Sequence, residues 1–128
     1  MKMLRLSFAL ARLLACLLLS GLSGAHAASP YEGRWTENPA WCRNTRASGT
    51  DELPITITRR SIETFASSCR VLSSARKGAV WVLRTSCRDE GQTETEPRIR
   101  NTVTLRINGN RLSMRDMNGD HSFTRCPR

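Results

Sequence analysis

Histidine is scarce in this sequence: there are two, and only His121 lies beyond the first 27 residues. A ribonuclease of the two-histidine type would lack one of its acid–base groups, and a catalytic triad would depend on His121 with no Gly-x-Ser-x-Gly motif before it. Cys-x-x-Cys pairs are also missing, so there is no zinc or thioredoxin-type motif. We therefore predict no enzyme, no metal and no cofactor, with a hydrolase that uses His121 as the least favoured alternative. His121 itself is predicted to be a solvated residue beside a turn.

Helical periodicity is nearly absent as well, and apolar residues recur instead at every second position. This alternation predicts strands over Leu53–Thr58, Ala79–Cys87 and Ile99–Ile107, with the polar runs Ser73–Gly78 and Arg88–Pro97 as loops. Seven or so short strands without a helix predict an all-β fold. Closure into a small antiparallel meander barrel is favoured because a flat sheet would expose two long edges.

The closing stretch, Ile99–Cys126, is predicted to be a three-stranded meander. Asn108-Gly109 and Asn118-Gly119 mark its two turns, and both are predicted as type I′, in which the two central residues need a positive φ. The residues expected to point inward are Ile99, Val103, Leu105, Ile107, Leu112 and Met114.

The first 27 residues have the organisation of an export signal. Lys2 and Arg5 precede an apolar run, Phe8–Leu19, that is too short to span a membrane, and Ala25-His26-Ala27 has the small-x-small pattern of a cleavage site. We expect cleavage after Ala27, a single domain over residues 28–128, and a periplasmic or secreted location. Cys16 lies inside the apolar run, so acylation of Cys16 as a lipoprotein anchor is not favoured.

Four cysteines lie beyond the predicted signal: Cys42, Cys69, Cys87 and Cys126. An even number in a short exported chain predicts two disulfides, and each would contribute about 3–4 kcal/mol of stability in the chain-entropy model. Three connectivities are open. We take Cys42–Cys69 with Cys87–Cys126 as the expectation.

Basic residues outnumber acidic ones, 20 to 11. Three of the basic residues and none of the acidic ones belong to the predicted signal, so the remainder carries a net charge of +6. Arginines on adjacent strands of the predicted meander are candidates for an outer stripe that binds the phosphate or sulfate groups of lipopolysaccharide, polysaccharide or nucleic acid. No aromatic residue lies between Pro97 and Ser122, which argues against base stacking there. The five candidates are Arg98, Arg100, Arg106, Arg111 and Arg115.

Gly33-Arg34-Trp35 begins the first predicted strand, and Arg125-Cys126 ends the last one. This pattern resembles that of lipocalin-like barrels, and it is also similar to small exported proteobacterial proteins. In lipocalin-like barrels an arginine of the last strand packs over the tryptophan of the first strand and closes the bottom. The resemblance implies that Gly33, Trp35 and Arg125 form a barrel floor here, with a cation–π contact worth about 0.5–2 kcal/mol.

Small bacterial barrels of this class inhibit proteases or lysozymes, and the resemblance implies a similar task. We expect an exported, non-enzymatic binding module without a membrane span, whose partner is a protein and which could act as an inhibitor. The segments expected to make the inhibitory contact are Arg88–Pro97 and Ala28–Glu32. The alternative is a binder of anionic polymers that uses the arginine stripe.

Overall fold

The computed structural model describes residues 27–128, so the predicted signal, apart from Ala27, lies outside the described residues. Eight antiparallel strands follow one another around a closed barrel, and the first strand pairs with the last. The all-β barrel predicted from the alternating sequence is thereby confirmed. The strands are β1 (Gly33–Thr36), β2 (Ile55–Ile57), β3 (Ser61–Glu63), β4 (Ser67–Lys77), β5 (Val80–Asp89), β6 (Ile99–Asn108), β7 (Arg111–Asp116) and β8 (Gly119–Arg125).

The long connection between β1 and β2 contains two short 3₁₀ helices, Pro39–Arg43 and Arg46–Ser48. Asn38 caps the first of them: its side-chain oxygen accepts a hydrogen bond from the Ala40 amide at 3.0 Å. Proline follows directly at the first helical position, where its missing amide proton costs nothing. Within the described chain these turns are the only helical segments, in line with the prediction of a fold without α-helix.

The segment Ser73–Gly78 is not the loop that its polar composition predicts, because β4 continues through it to Lys77. β3 pairs only with residues 68–70 of β4, so the far half of β4 has a single neighbour, β5. Its side chains are exposed, and no apolar alternation marks it as a strand. A β-bulge at Leu72 interrupts the pairing between Val71 and Ser73.

The disulfides are Cys42–Cys126 and Cys69–Cys87, so the expected connectivity is wrong. The length of β4 is the reason: it places Cys69 directly opposite Cys87 in the β4–β5 hairpin. Cys42 lies in the first 3₁₀ helix, and the Cys126 amide donates to the Arg34 carbonyl of β1 at 2.8 Å. The Cys42–Cys126 bond therefore lies where β1 and β8 pair to close the barrel.

Both predicted turns of the closing meander are present, but neither is type I′. Every positive φ between residues 27 and 128 belongs to a glycine, whereas type I′ requires two such residues in succession. Asn108 pairs with Arg111, which leaves a two-residue loop with Gly109 (φ +59°) first, as in type II′ turns. The loop is therefore Gly109-Asn110 and not the predicted Asn108-Gly109, so the pairing of β6 with β7 is shifted by one residue.

The apolar core fills the inside of the barrel. Its members occupy alternate positions along each strand. The inward set predicted for the closing meander is buried or packed against the core, except Ile99, which is half-buried outside it. The core residues are Tyr31, Trp35, Ile55, Ile57, Ile62, Cys69, Leu83, Cys87, Val103, Leu105, Leu112, Met114 and Phe123, with Val71, Trp81 and Ile107 packed against them.

Candidate functional site

One end of the barrel is closed by the three residues that the resemblance assigns to a floor. Trp35 is fully buried, and the guanidinium carbon of Arg125 lies 4.0 Å from the centroid of its ring. A Cβ atom on Gly33 (φ +146°) would lie 2.7 Å from Nη1 of Arg125, so only glycine permits this close approach. Burial lowers the pKa of Arg125 from its ordinary value because desolvation disfavours the charged form. The predicted contact is present.

The segment Ala28–Glu32 completes this closed end. Arg125 donates hydrogen bonds to the carbonyls of Pro30 and Glu32, and Nε1 of Trp35 donates to the Tyr31 carbonyl at 2.9 Å. The Tyr31 ring is fully buried, with its centroid 5.2 Å from that of Trp81 in an edge-on arrangement. A segment packed in this way is not free to enter a partner. This packing argues against Ala28–Glu32 as an inhibitory segment.

The opposite end of the barrel is open and contains a cavity of about 810 Å³. That volume lies in the range of ligand pockets, which is about 300–1,000 Å³. Trp35 lies at its base, so the same indole separates the floor from the cavity. The residues around it are Trp35, Thr36, Glu37, Trp41, Leu53, Ile55, Thr64, Phe65, Ala66, Ser67, Asp89, Glu90, Met114, Asp116, Asn118, His121 and Phe123.

The charge of the cavity lining is opposite to that of the chain as a whole. Four carboxylates line the cavity, from Glu37, Asp89, Glu90 and Asp116, while none of the arginines and lysines does. These acids lie up to 79 positions apart in the sequence and meet because strands β1, β5 and β7 all end here. The sequence prediction contains no such site.

His121 is not the solvated turn residue that its position predicts. It lies within β8 with its side chain 31% exposed, lines the cavity, and places Nε2 3.5 Å from Oδ1 of Asp116. Its ring stacks near Phe123, with the centroids 6.1 Å apart. His121 and Asp116 therefore form a polar pair on the inner wall of the barrel.

Exposed hydrophobic side chains stand at the rim of the cavity. Phe65 in the β3–β4 connection is 39% exposed, and Met117 in the β7–β8 turn is 64% exposed. Leu72 is the third large exposed hydrophobic residue of the described chain, and it lies away from this end, in the bulge of β4. Phe65 lines the cavity, and Met117 lies between Asp116 and Asn118, which line it too. Both side chains offer apolar area that a partner could remove from water.

The loop Arg88–Pro97 lies at the open end, as its role in an inhibitor would require. The loop is held by internal bonds: Arg88 forms an ion pair with Glu94, and the Asp89 amide donates to the Gln92 side chain at 2.9 Å. The Glu90 amide also donates to the Ala66 carbonyl at 2.7 Å. The loop is thus joined both to itself and to the β3–β4 connection.

Three of the five candidate arginines form a patch on the outer wall. Arg106 lies directly opposite Ser113, while Arg111 and Arg115 lie two residues before and after Ser113 on the same face. Nη2 of Arg111 donates to the hydroxyl of Ser122, which lies opposite Ser113 on β8. A hollow of about 520 Å³ lies at this patch. We call these residues the Ser113 patch.

One arginine of the Ser113 patch already has a carboxylate partner. Arg115 donates to both carboxylate oxygens of Asp120, at 2.6 and 2.9 Å. The hydrogen bonds and the opposite charge lower the pKa of Asp120 and raise that of Arg115. Arg106 and Arg111 form no ion pair within residues 27–128. The patch therefore retains a net positive charge.

The other two candidates, Arg98 and Arg100, do not belong to the Ser113 patch. Arg100 is six positions from Arg106 along β6, about 20 Å at the usual rise of a strand. Arg98 donates to the Ser86 carbonyl at 3.4 Å. Ser86 of β5 pairs with Arg100 of β6 on one side and with Arg70 of β4 on the other. Arg100 therefore lies near Arg70 and not near the Ser113 patch. The predicted single stripe is therefore divided.

Other chemistries find no support in the described part of the chain. Residues 27–128 contain no group of three His, Cys, Asp or Glu side chains arranged to hold a metal ion. Among the same residues, no helix is long and apolar enough to cross a membrane. Comparisons of the chain with protein-family models, with curated proteins and with solved structures gave no match.

Proposed function

We propose that this chain is an exported, non-enzymatic binding module that captures a protein partner at the open end of its barrel and acts as an inhibitor of a secreted protease or lysozyme. One observation carries the proposal: an open cavity of about 810 Å³ has exposed hydrophobic residues at its rim. Burial of Phe65 and Met117 under a partner would remove apolar area from water, which is the usual driving force of association.

The rigidity of this end also supports binding of a protein. The first 3₁₀ helix, which carries Trp41, is fixed by the Cys42–Cys126 bond, and the loop Arg88–Pro97 is held by its own hydrogen bonds and ion pair. Loops that are ordered before binding lose less conformational entropy when a partner docks. Preorganised binding loops on a rigid scaffold are typical of inhibitors.

Inhibition assays test the proposal. The oxidised protein, residues 28–128, is added to a panel of secreted proteases and muramidases, and we expect it to inhibit at least one of them. Phe65→Ser should then weaken inhibition about tenfold or more, since interface anchors carry most of the binding energy. The matched control is Leu72→Ser, which removes a similarly exposed hydrophobic residue away from the open end and should leave the inhibition unchanged. A panel without any inhibition, or equal effects of the two variants, contradicts the proposal.

The Ser113 patch favours a second candidate function, the binding of anionic polymers. Arg106 and Arg111 lie on adjacent strands beside the hydroxyls of Ser113 and Ser122, and guanidinium groups with neighbouring hydroxyls suit phosphate and sulfate. The surrounding hollow is open to solvent along the barrel wall. A polymer would therefore lie against the wall and leave the open end free.

Heparin chromatography tests this second function. The double variant Arg106→Gln/Arg111→Gln should elute at lower salt than the parent, because binding to polyanions depends on the number of neutralised phosphate or sulfate groups. The matched control is Arg59→Gln/Arg60→Gln, which removes the same charge from the exposed turn between β2 and β3. Equal shifts of the two variants would indicate net charge alone. Retention that salt does not affect would rule the idea out.

A further inference from the structure

We infer that the open cavity takes an arginine or lysine side chain from an exposed segment of the protein partner. The inference rests on the proposed function, since it identifies which part of the partner enters the barrel. Three independent observations support it: the cavity itself, the carboxylates that line it, and the aromatic and apolar residues among them.

The charges of the cavity favour a cation. Glu37, Asp89, Glu90 and Asp116 bring four carboxylates to one mouth, with His121 as the only basic side chain. Oδ1 of Asp116 lies 3.5 Å from Nε2 of His121, whereas Glu37, Asp89 and Glu90 form no ion pair within residues 27–128. An entering guanidinium or ammonium group would be attracted by these carboxylates. An entering carboxylate would be repelled.

The nearest arginines do not satisfy the cavity. Arg88 pairs with Glu94, and Nη2 of Arg46 donates to the Thr64 carbonyl at 3.2 Å. Both arginines line a neighbouring hollow that shares Asp89 and Glu90 with the cavity, whereas Glu37 and Asp116 line the cavity and not that hollow. In a chain whose basic residues exceed its acidic ones, the absence of any arginine or lysine from the lining of this cavity separates the mouth from the positive outer wall.

The apolar part of the lining fits the stem of such a side chain. Arginine and lysine carry a positive head on an aliphatic chain, which packs on apolar surface while the head stays near water or carboxylates. Phe65 and the half-buried Trp41 lie among the acidic residues, and a guanidinium over an aromatic ring gains about 0.5–2 kcal/mol. The floor contains the same contact, between Arg125 and Trp35.

Short peptides provide the direct test. The probe is the fluorescently labelled peptide Gly-Leu-Arg-Leu-Gly with blocked ends, and the comparison peptide has citrulline, a neutral isostere, in place of arginine. Binding to the oxidised domain is followed by fluorescence anisotropy. We expect the arginine peptide to bind about tenfold more tightly than the citrulline peptide, as one pairing in a partly screened site would give.

Charge-neutralising variants locate the effect. The double variant Glu37→Gln/Asp116→Asn should abolish the difference between the two peptides, while circular dichroism verifies that the barrel is intact. The matched control, Asp120→Asn, removes a carboxylate from the outer wall and should leave the difference unchanged. Loss of the difference in Asp120→Asn, but not in the double variant, would overturn the inference by placing the cation elsewhere.

The remaining outcomes separate this inference from the proposed function. Equal binding of both peptides, or binding of neither, overturns the inference that a cationic side chain enters the cavity. The proposed function is then tested separately by the inhibition panel and the Phe65→Ser variant. Sedimentation addresses a different occupant. A concentration-dependent dimer that disappears in Glu37→Gln/Asp116→Asn would identify the occupant as a basic residue of a second copy and would overturn the assignment to another protein.

Discussion

The two ends of the barrel differ in how their charged groups are paired. At the closed end, Arg125 stacks on Trp35 and donates to two backbone carbonyls, and Gly33 leaves just enough room for it. At the open end, the carboxylates of Glu37, Asp89 and Glu90 have no cationic partner among the described residues, and hydrophobic side chains face water.

This difference indicates that stability and binding are assigned to opposite ends. Groups that are paired within the chain lower the free energy of the folded state, and groups left unpaired are available to another molecule. Substitutions at the closed end should therefore change the free energy of unfolding, whereas substitutions at the mouth should chiefly change binding. Two experiments test this division and a third tests an ion pair on the outer wall; they follow from the largest expected effect to the smallest.

The largest difference in stability is expected between variants of the two tryptophans that line the cavity. Trp35→Ala removes a fully buried indole and the ring beneath Arg125, so the free energy of unfolding should fall by about 3–5 kcal/mol. Trp41→Ala removes a half-buried side chain at the mouth and should cost about 1 kcal/mol or less. Urea unfolding of the oxidised proteins, followed by circular dichroism, measures both. Equal losses would contradict the division between the two ends.

A smaller effect is expected from the glycine of the floor. Gly33→Ala combines a strained φ of +146° with a Cβ 2.7 Å from Arg125, and we expect a loss of about 2–3 kcal/mol. Gly119→Ala at the open end has a strained φ of +123° but open space around the new Cβ, and should lose only about 1–2 kcal/mol. If crowding is the cause, the Gly33→Ala loss should shrink in an Arg125→Ala background. An unchanged loss there would exclude crowding.

The smallest effect is expected from the ion pair between Arg115 and Asp120 on the outer wall. The hydrogen bonds from Arg115 hold the pKa of Asp120 below its ordinary value of about 3.9. The contribution of this pair to stability is therefore complete above that ordinary pKa, and it is lost as the pH falls through the lowered one. Carboxyl NMR should show the pKa of Asp120 rising towards the ordinary value in Arg115→Gln. No change in this titration would mean that the pair is not formed in solution.

The barrel could be predicted because alternation at every second residue is a local signal that identifies strands one at a time. The floor residues Gly33, Trp35 and Arg125 were implied by the resemblance to lipocalin-like barrels and not by the alternation. The far half of β4 was missed because it has a neighbour on one side only and needs no apolar face there. The disulfide pairing could not be predicted for a related reason, since the length of β4 decides what lies opposite Cys69.

The cluster of carboxylates at the open end could not be predicted without the strand topology, although the sequence contains a signal for it. In an antiparallel meander all odd-numbered strands run the same way, so their carboxyl ends meet at one end of the barrel. An acidic residue ends or directly follows each of them: Glu37 after β1, Glu63 in β3, Asp89 in β5 and Asp116 in β7. Strand boundaries accurate to one residue are needed to see this regularity, and sequence periodicity does not provide them.

The disulfides are nested: the Cys69–Cys87 pair lies inside the interval that Cys42 and Cys126 enclose. In a chain that meets an oxidant amino end first, Cys42 and Cys69 become available together well before Cys126 does. Consecutive oxidation would then join the wrong two thiols, and the native arrangement would need thiol–disulfide exchange to correct it. Efficient maturation of this small barrel should thus depend on a disulfide isomerase, in contrast to proteins whose cysteines pair in the order in which they emerge.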